Sequence, residues 1–466
     1  MVSGADADLA GAHGADSHVE DNFLRIIDVR GQEPRPAALN AAIPRAAVDI
    51  DQALNAVYPI IDSVRATGAQ ALRDLAQKFD GVRPEYIRVP QEALDEAEAG
   101  LSESLREALH ISIEHNKRGH QAQLPHEACT EIMLGGFVRQ RWVPVERVGL
   151  YVPGGLAVYP SSVVHNVVAA QVAGVKEIAL ASPPQKEYGG LPHPTILAAC
   201  KLLGITEVYA VGGAQAVAMF AYGAAGEPHS VDAPQLCAPV DVVAGPGNIF
   251  VAAAKRAVRG VVGIDAEAGP TEIGIIADSS AQPEYVAADL LSQAEHDPSA
   301  ASVLFTDSCE LAHHVRAALA RQAAETKHAE RVHTALRGQQ SGVILTDSLE
   351  HSIAWANAYG AEHLEIQVHD APQVARKIHN AGAIFVGSYA PVPLGDYMAG
   401  SNHVLPTGGT ARFSAGLNVM AYIKSVQEIE YTQSAMAALY SPLRSLALDE
   451  DLPAHAHALA VRLKQA

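Results

Sequence analysis

The sequence predicts an α/β protein built on doubly wound sheets, and three observations carry this prediction. From residue 145 onward, short apolar runs alternate with alanine-rich stretches that have helical periodicity. The runs are bounded by glycine or proline, as buried parallel strands are. Several runs in the middle of the chain lead directly into glycine-rich turns. Together these features indicate βαβ units, which form parallel sheets covered by helices.

The candidate strands fall into two groups along the chain. The first group comprises residues 148–152, 177–181, 207–211, 240–244 and 273–277. The second group comprises residues 301–305, 342–345, 364–368 and 383–386. Helical periodicity separates the strands of the second group around residues 311–325, 351–358 and 371–381. Strands that alternate with helices over so long a stretch predict two α/β domains.

The remaining segments complete the predicted domain organisation. Helical patterns cover residues 54–79 and 93–120, and the first ends in a turn that contains Gly81 and Pro84. The last fifty residues have a helical pattern and follow a glycine-rich crossing, so they predict an arm. The predicted division is a disordered leader (1–22), a first α/β domain with N-terminal helices (23–130 and 272–416), an inserted α/β domain (131–271) and a C-terminal helical arm (417–466).

Composition excludes several classes of protein. The chain has 466 residues and a formal net charge of −19, which argues against nucleic acid or an anionic membrane as a partner. Its 4 cysteines are scattered without a CxxC pair, which is typical of a reducing compartment and offers no thiol nucleophile near the motifs below. Residues 148–175 are uncharged, but prolines, glycines and polar groups interrupt them, so they do not predict a membrane span. We expect a cytoplasmic protein.

Three glycine-rich turns point to a nucleotide. They follow predicted strands at residues 153–155, 212–215 and 245–248. At the carboxyl end of a parallel strand, such a turn opens a helix whose free N–H groups can receive a phosphate. None of the turns is a full GxGxxG motif, and glycines alone also serve tight βα turns. Three such turns together with Tyr151, Gln215 and Asn248 favour a ligand crevice.

Two further constellations carry polar chemistry. Gln293 and His296 are three residues apart, so on a helix they share a face, and Asp396 adds a carboxylate. These donors can hold a divalent metal, although an isolated Q-x-x-H is more often a solvated helix face. Glu362 and His363 precede a predicted strand and can each transfer a proton, although an isolated pair of this kind is more often a surface feature.

Longer motifs make the interpretation specific. The stretches are VGLYVPGG (148–155), GGAQA (212–216), AGPGN (244–248), IDAEAGP (264–270), DLLSQAEHD (289–297), AEHL (361–364), GDY (395–397) and GSNHVLPT (400–407). In this order they resemble the histidinol dehydrogenase family, and the resemblance runs from about residue 25 to the end. It implies two incomplete Rossmann-like domains and an intertwined homodimer with shared active sites. It also implies the NAD-dependent oxidation of L-histidinol to L-histidine through the aldehyde, with one zinc ion per subunit.

The resemblance assigns roles to individual residues. The implied zinc ligands are Gln293, His296, Asp396 and His455. The implied acid–base pair is Glu362 and His363, and the implied NAD contacts are Tyr151, Gln215 and Asn248. Implied substrate contacts are the zinc ligands, the acid–base pair, Thr271 and Glu450, with His403 in a nearby loop. The family often has serine where Thr271 stands, and the hydroxyl is retained. Only the resemblance selects His455 over the neighbouring His457.

Three other functions remain as alternatives. A related zinc- and NAD-dependent dehydrogenase for another small polar alcohol, such as a sulfonated diol, is disfavoured by the complete ligand set and Glu450. A catalytically inactive nucleotide-binding regulator predicts the loss of Glu362, His363 or a ligand, and all are present. A zinc hydrolase predicts ligands without three glycine-rich turns.

Overall fold

The computed structural model describes residues 23–46, 50–154, 158–226, 235–267 and 269–463, so the predicted leader (1–22) lies outside the described residues. The strands are β1 (Arg25–Asp28), β2 (Ala128–Met133), β3 (Gly136–Pro144), β4 (Arg147–Tyr151), β5 (Glu177–Ser182), β6 (Glu207–Ala210), β7 (Ala224–Ala225), β8 (Gln235–Cys237), β9 (Val242–Ala244), β10 (Gly263–Ile264), β11 (Glu272–Ala277), β12 (Ala301–Thr306), β13 (Gly342–Leu345), β14 (His363–Gln367), β15 (Ala383–Val386) and β16 (Ile423–Tyr431).

The helices complete the element order. They are α1 (Pro36–Ala42), α2 (Ile50–Thr67), α3 (Ala69–Phe79), α4 (Gln91–Ala99), α5 (Glu103–Gln121), α6 (Pro160–Ala173), α7 (Pro194–Leu202), α8 (Gly213–Tyr222), α9 (Ile249–Val258), α10 (Pro283–Ala294), α11 (Cys309–Glu325), α12 (Ala329–Arg337), α13 (Leu349–Tyr359), α14 (Ala371–Ala375), α15 (Val392–Tyr397), α16 (Gln433–Asp449) and α17 (Pro453–Leu463). Among the described residues, no helix is both long enough and apolar enough to cross a membrane.

Two parallel sheets confirm the predicted α/β fold class. The larger has six strands in the order β1-β13-β12-β11-β14-β15, and the smaller has five in the order β10-β9-β4-β5-β6. All nine predicted strands are present, and each bound lies within two residues of its prediction. The sequence did not predict β1. This strand is short and partly exposed, and it is defined by pairing with β13, more than 300 residues later in the chain.

The N-terminal helices pack on the smaller sheet, which differs from the predicted division. Val57 and Ile61 of α2 belong to the same buried cluster as Phe220 of α8. Leu94 of α4 packs in the cluster on the other face of that sheet, together with Ile196 of α7. Residues 50–121 therefore cover the sheet formed by the predicted inserted domain, although they were assigned to the first domain. Amphipathic periodicity indicates that a helix has a buried face, but it does not indicate which core receives that face.

Two predicted helices are each divided by a glycine-containing break. The segment predicted at 54–79 forms α2 and α3, which meet at Gly68 with a φ of +49°. The segment predicted at 93–120 forms α4 and α5, separated at Gly100, and α5 begins where the Ser102 hydroxyl accepts a hydrogen bond from the Leu105 N–H. Glycine and an N-capping serine are the expected signals for such breaks.

The C-terminal arm is not wholly helical, so the prediction for residues 417–466 is wrong over Ile423–Tyr431. These residues form β16, which pairs antiparallel with β3 along its full length, and β2 completes a three-stranded sheet. The strand has few buried side chains, and the ion pair of Glu428 with Arg141, at 2.5 Å, lies across it. Nonlocal pairing of this kind leaves little apolar pattern in the sequence. Beyond the strand, α16 and α17 pack on each other.

Helix α5 fastens the segment that follows α15. The Ser112 hydroxyl donates to the Tyr397 carbonyl at 2.6 Å, and His115 Nδ1 lies 2.7 Å from the Met398 carbonyl oxygen. Gly119 allows the closest approach, because a Cβ atom at this position would lie 1.9 Å from the Gly400 carbonyl oxygen. The contact positions residues on both sides of Gly400, which matter for the site described below.

We predict that Gly119→Ala lowers the free energy of unfolding by about 1–3 kcal/mol, as overpacked sites do. In a helix interior without such a contact, replacing glycine by alanine raises the free energy of unfolding by about 1 kcal/mol. The close contact with Gly400 is therefore expected to reverse the sign of this change. Gly100→Ala is the matched control, since its Cβ would lie 3.4 Å from the nearest atom, Glu96 O. Chemical denaturation of both variants measures the difference. A stabilised Gly119→Ala protein would contradict the close approach.

Candidate active site

The candidate site lies where the two parallel sheets meet. Thr271 and Glu362 immediately precede β11 and β14, which are neighbours in the larger sheet, so both residues lie at its amino edge. Helix α10 returns from the far end of β11 and brings Gln293, in its last turn, to the same edge. The carboxyl edge of the smaller sheet faces this region through α6, whose Ser162 Oγ lies 3.0 Å from His403 Nε2.

A chain of hydrogen bonds joins three of the predicted site residues. The Thr271 hydroxyl donates to Glu362 Oε2 at 2.5 Å, and the Gln293 side-chain amide donates to the Thr271 oxygen at 2.5 Å. The Glu272 N–H donates to the same carboxylate oxygen at 2.8 Å. Because Glu362 accepts two donors from the start of β11, its orientation is fixed by the larger sheet.

Burial makes Glu362 a base suited to near-neutral pH. The residue is 7% exposed. Burial raises the pKa of Glu362 to about 8, although hydrogen bonds from Thr271 and the Glu272 N–H oppose the shift. A carboxyl group with a pKa in this range can both give and take a proton at physiological pH, as acid–base catalysis requires.

The neighbouring His363 is held in one tautomer. Its Nδ1 lies 3.2 Å from the Glu272 carbonyl oxygen, which can only accept, so Nδ1 carries the proton. The same nitrogen lies 3.5 Å from Glu362 Oε2, but burial lowers the pKa of His363 and raises that of Glu362, so the two are a neutral pair rather than an ion pair. Nε2 is buried and has no hydrogen-bond partner among the described residues. His363 therefore presents an unused lone pair.

Three predicted ligands lie around this pair. The Gln293 amide nitrogen is engaged by Thr271, and its Oε1 is buried without a partner among the described residues. His296 follows the end of α10, and burial together with His363 lowers its pKa. Asp396, in α15, is partly buried; burial raises its pKa, and His363 opposes the shift. Within the described ranges, no group of three or more His, Cys, Asp or Glu is arranged to hold a metal ion.

His403 lies behind Asp396. Its Nδ1 is 3.8 Å from Asp396 Oδ1, and its ring packs against that of His165 at an interplanar angle of 33°, with 4.1 Å between centroids. The His403 backbone N–H donates to His165 Nδ1 at 2.9 Å. Burial lowers the pKa of His403 to about 3, so the ring is neutral at physiological pH.

The structure does not bring Glu450 and His455 into this buried cluster. Glu450 is the C-cap of α16, and His455 lies in α17. Both residues are exposed, whereas Gln293, Glu362 and His363 are buried. The two predicted contacts from the arm are therefore separate from the site within one chain.

The predicted cofactor residues lie together at the carboxyl edge of the smaller sheet. Tyr151, which ends β4, is 4% exposed, and its hydroxyl accepts a hydrogen bond from the Gly213 N–H at 3.1 Å. Gln215 is buried in the first turn of α8. Asn248 Oδ1 accepts from the N–H groups of Phe250 and Val251 at 3.0 and 3.2 Å, so Asn248 caps α9. Residue 155 of the first glycine-rich turn lies outside the described residues.

A buried ion pair that sequence reasoning missed braces the third turn. Lys255 Nζ lies 2.5 Å from both Asp265 Oδ1 and the Gly245 carbonyl oxygen, and the Gly245 N–H donates to Asp265 Oδ2 at 2.8 Å. Gly245 has a φ of +117°, and a Cβ atom there would lie 2.0 Å from the Tyr151 carbonyl oxygen. Asp265 lies inside the IDAEAGP motif, and that motif was the available signal, but its spacing from Lys255 does not indicate pairing.

Comparison with known proteins places this architecture in one family. A family model described as histidinol dehydrogenase matches residues 43–463. The chain is 56% identical to the histidinol dehydrogenase of Thermobifida fusca over 94% of this chain and 97% of the relative. It is 55% identical to that of Bifidobacterium longum over 95% and 94% of the two chains.

A solved structure agrees with the sequence relatives. The crystal structure of histidinol dehydrogenase from Elizabethkingia anophelis superposes with a TM-score of 0.86 at 31% identity, covering 95% of this chain and 98% of that one. The match extends over both parallel sheets and the arm, because it leaves only about a twentieth of the chain uncovered. The chain belongs to the histidinol dehydrogenase family, whose members are oxidoreductases.

Proposed function

We propose that this chain catalyses the zinc- and NAD-dependent, four-electron oxidation of L-histidinol to L-histidine through L-histidinaldehyde, which completes histidine biosynthesis. The observation that carries the proposal is the buried pair of His363, with an unused Nε2, and Glu362, with a pKa of about 8. Two bases of different strength side by side suit two successive oxidations. The names of the relatives, histidinol dehydrogenases, support this substrate.

The donors around the pair fit a zinc ion. Gln293 Oε1 is buried and has no hydrogen-bond partner within the part of the chain that the structure describes, and an unpaired buried oxygen is costly unless something binds it. His296 and Asp396 add an imidazole and a carboxylate, which are common zinc ligands. The proposed set is Gln293, His296, Asp396 and the partner's His455. When bound, the ion would supply a Lewis acid suited to holding the imidazole and amine of the substrate.

His363 acts in the first oxidation. The Glu272 carbonyl keeps its proton on Nδ1, so Nε2 accepts the proton of the substrate hydroxyl. Loss of that proton from the hydroxyl oxygen favours transfer of hydride to NAD from the carbon that carries the oxygen. Because the ring is buried and its pKa lowered, it is neutral, and therefore a competent base, before the reaction begins.

Glu362 acts in the second oxidation. Its carboxylate accepts a proton from the water that adds to the aldehyde, while the aldehyde oxygen takes up a proton and the hydrate forms. The hydrate carbon then loses hydride to a second NAD and a hydroxyl group loses its proton, which gives the carboxylic acid. The carboxylate fraction rises as the pH increases through its pKa of about 8. Water is the proposed nucleophile, because Cys200 and Cys237 are buried in the apolar clusters of the smaller sheet, and Cys129 and Cys309 are exposed, unlike the buried acid–base pair. Burial of the site retains the reactive aldehyde between the two steps.

The NAD site lies at the carboxyl edge of the smaller sheet. Helices α8 and α9 both begin at glycine-rich turns. The N-terminus of α8 has no side-chain cap, so its N–H groups favour a pyrophosphate, whereas Asn248 caps α9. Tyr151, Gln215 and Asn248 are the proposed contacts. The Tyr151 hydroxyl and the Lys255–Asp265 pair hold the turns together, so the chain presents a preformed surface. NAD supplies the hydride acceptor for both oxidations.

The arm supports a homodimer with shared sites. Apolar side chains on the arm face solvent, and Ile429 and Leu446 are 71% and 67% exposed. Such residues are expected to be covered by a second copy, because an extended arm has little core of its own. His455 and Glu450 lie on this arm and not in the site of their own chain. We propose that both reach the site of the other subunit, where Thr271 and His403 complete the substrate contacts.

Stoichiometry tests the proposed reaction. With L-histidinol limiting and NAD in excess, we expect two NADH per substrate molecule and histidine as the organic product, because the site contains a base for each oxidation. Absorbance gives the NADH yield and chromatography gives the product. One NADH per substrate, with accumulating aldehyde, would sink the two-step assignment.

Single substitutions separate the two bases. We expect His363→Asn to slow alcohol oxidation and Glu362→Gln to slow oxidation of supplied aldehyde, each by on the order of 10²–10⁴. Rapid-mixing assays of each half-reaction measure the effects. Thr271→Ser is the matched control, because it retains the hydroxyl that bonds Glu362 and should leave both rates within a few-fold. Equal damage to both half-reactions by both variants would contradict the division of roles.

A further inference from the structure

A second layer of polar residues lies directly behind the proposed ligands. Asp289 is one helical turn before Gln293 in α10. Glu365 is two residues after His363 in β14 and therefore on the same face of the strand. Each residue of the second layer therefore lies on the same helix or strand as a residue of the site, but further from the site along that element.

Hydrogen bonds within this layer connect the elements. The Gln367 side-chain amide donates to Asp289 Oδ2 at 2.9 Å and to Glu365 Oε2 at 3.0 Å, so it bridges α10 and β14. Glu365 Oε1 accepts from the Val392 N–H at 2.9 Å, at the start of α15. Asp396 lies one turn further along α15. We call Asp289, Glu365 and Gln367 the acid brace.

The two carboxyl groups of the acid brace, Asp289 and Glu365, share one proton. Glu365 is 2% exposed, and both burial and the neighbouring Asp289 raise its pKa well above the usual range. Asp289 is partly buried, and a hydrogen bond from Glu365 opposes the rise that burial causes in the pKa of Asp289. Two carboxylates cannot both be charged cheaply at such a place, so one proton held between them is the favoured state. Glu365 is then the donor to Asp289.

Helix α15 needs such a bond. It has six residues, and a helix this short is not stable by its own hydrogen bonds, so tertiary contacts fix where it lies. The Glu365 contact holds its first residue, Val392, whereas α5 holds Tyr397 at its end. Asp396 lies between these two fastenings.

We propose that Asp289, Glu365 and Gln367 are positioning residues, which set the spacing of Gln293, His363 and Asp396 and thereby the zinc affinity of the site. The inference rests on the proposed function, because it assumes that Gln293 and Asp396 hold zinc. Asp289 lies one helical turn before Gln293, and Glu365 and Gln367 follow His363 in β14, so none of the three belongs to the proposed ligand set. They act through the backbone of α10, β14 and α15.

Zinc affinity tests the brace independently of catalysis. The probe is zinc itself, measured by competition with a chelating dye on the full-length, metal-stripped protein. We expect Glu365→Leu and Gln367→Met to weaken zinc binding by about 10- to 100-fold, as loss of supporting contacts does. Glu365→Gln should stay within about three-fold, because it is neutral and keeps a donor for Asp289. Gln367→Met supplies the answer if Glu365→Leu does not fold.

Leu304→Ala is the matched control for general loss of stability. Leu304 is fully buried beside α10, but it lies in β12, which carries no proposed ligand. It should lower the thermal midpoint while leaving zinc affinity unchanged. If Gln367→Met and folded Glu365→Leu bind zinc as tightly as the unsubstituted protein, the positioning role is overturned. Asp396→Asn tests the metal site itself. If the unsubstituted protein binds no zinc, or if Asp396→Asn leaves its zinc binding intact, the proposed metal site is wrong.

Discussion

The buried carboxyl group of Glu362 is the constraint on which the rest of the site depends. Burying a carboxyl group is unfavourable unless hydrogen-bond donors contact it. Here the Thr271 hydroxyl and the Glu272 N–H both donate to Glu362 Oε2. Those donors come from the start of β11, so the neighbouring strands must stay in register for the bonds to form. The same burial raises the pKa of Glu362 to about 8. The same two hydrogen bonds therefore lower the free-energy cost of burying Glu362 and fix the orientation of its carboxyl group.

The two sheets contribute opposite edges to the proposed reaction. Ligands of open α/β sheets usually bind at the carboxyl ends of strands, and the smaller sheet follows this rule with its glycine-rich turns. The larger sheet presents its amino edge, with Glu362 and His363 at the start of β14. Helix α10 makes this possible, because it returns Gln293 to that edge. The contact between Ser162 and His403 joins the start of α6, at the carboxyl edge of the smaller sheet, to the loop that follows α15.

Sequence reasoning succeeded where the signal is local. The strands Gly342–Leu345 and Ala383–Val386 were predicted to the residue, because each is a short apolar run bounded by turn residues. The adjacency of Glu362 and His363 is local by definition, but their burial and the resulting pKa shifts depend on residues almost 100 positions away.

The features that sequence reasoning missed depend on contacts between distant segments. Strand β16 exists because it pairs with β3, which lies almost 300 residues earlier. The Lys255–Asp265 pair and the acid brace are polar groups inside the protein, and their burial cannot be read from apolar periodicity. Glu450 and His455 could be assigned to the site only through the family resemblance, since within one chain they lie exposed on the arm.

We propose that one chain supplies an incomplete site, which the arm of a second chain completes. A mixed dimer of Asp396→Asn and His455→Ala subunits tests it most directly. If the arm crosses, one site of the mixed dimer carries both lesions and the other carries neither. Random pairing makes half of the dimers mixed, so co-expression should restore roughly a quarter of the unsubstituted activity, although each variant alone is nearly inactive. No recovery, with mixed dimers verified by mass spectrometry, would contradict the shared site.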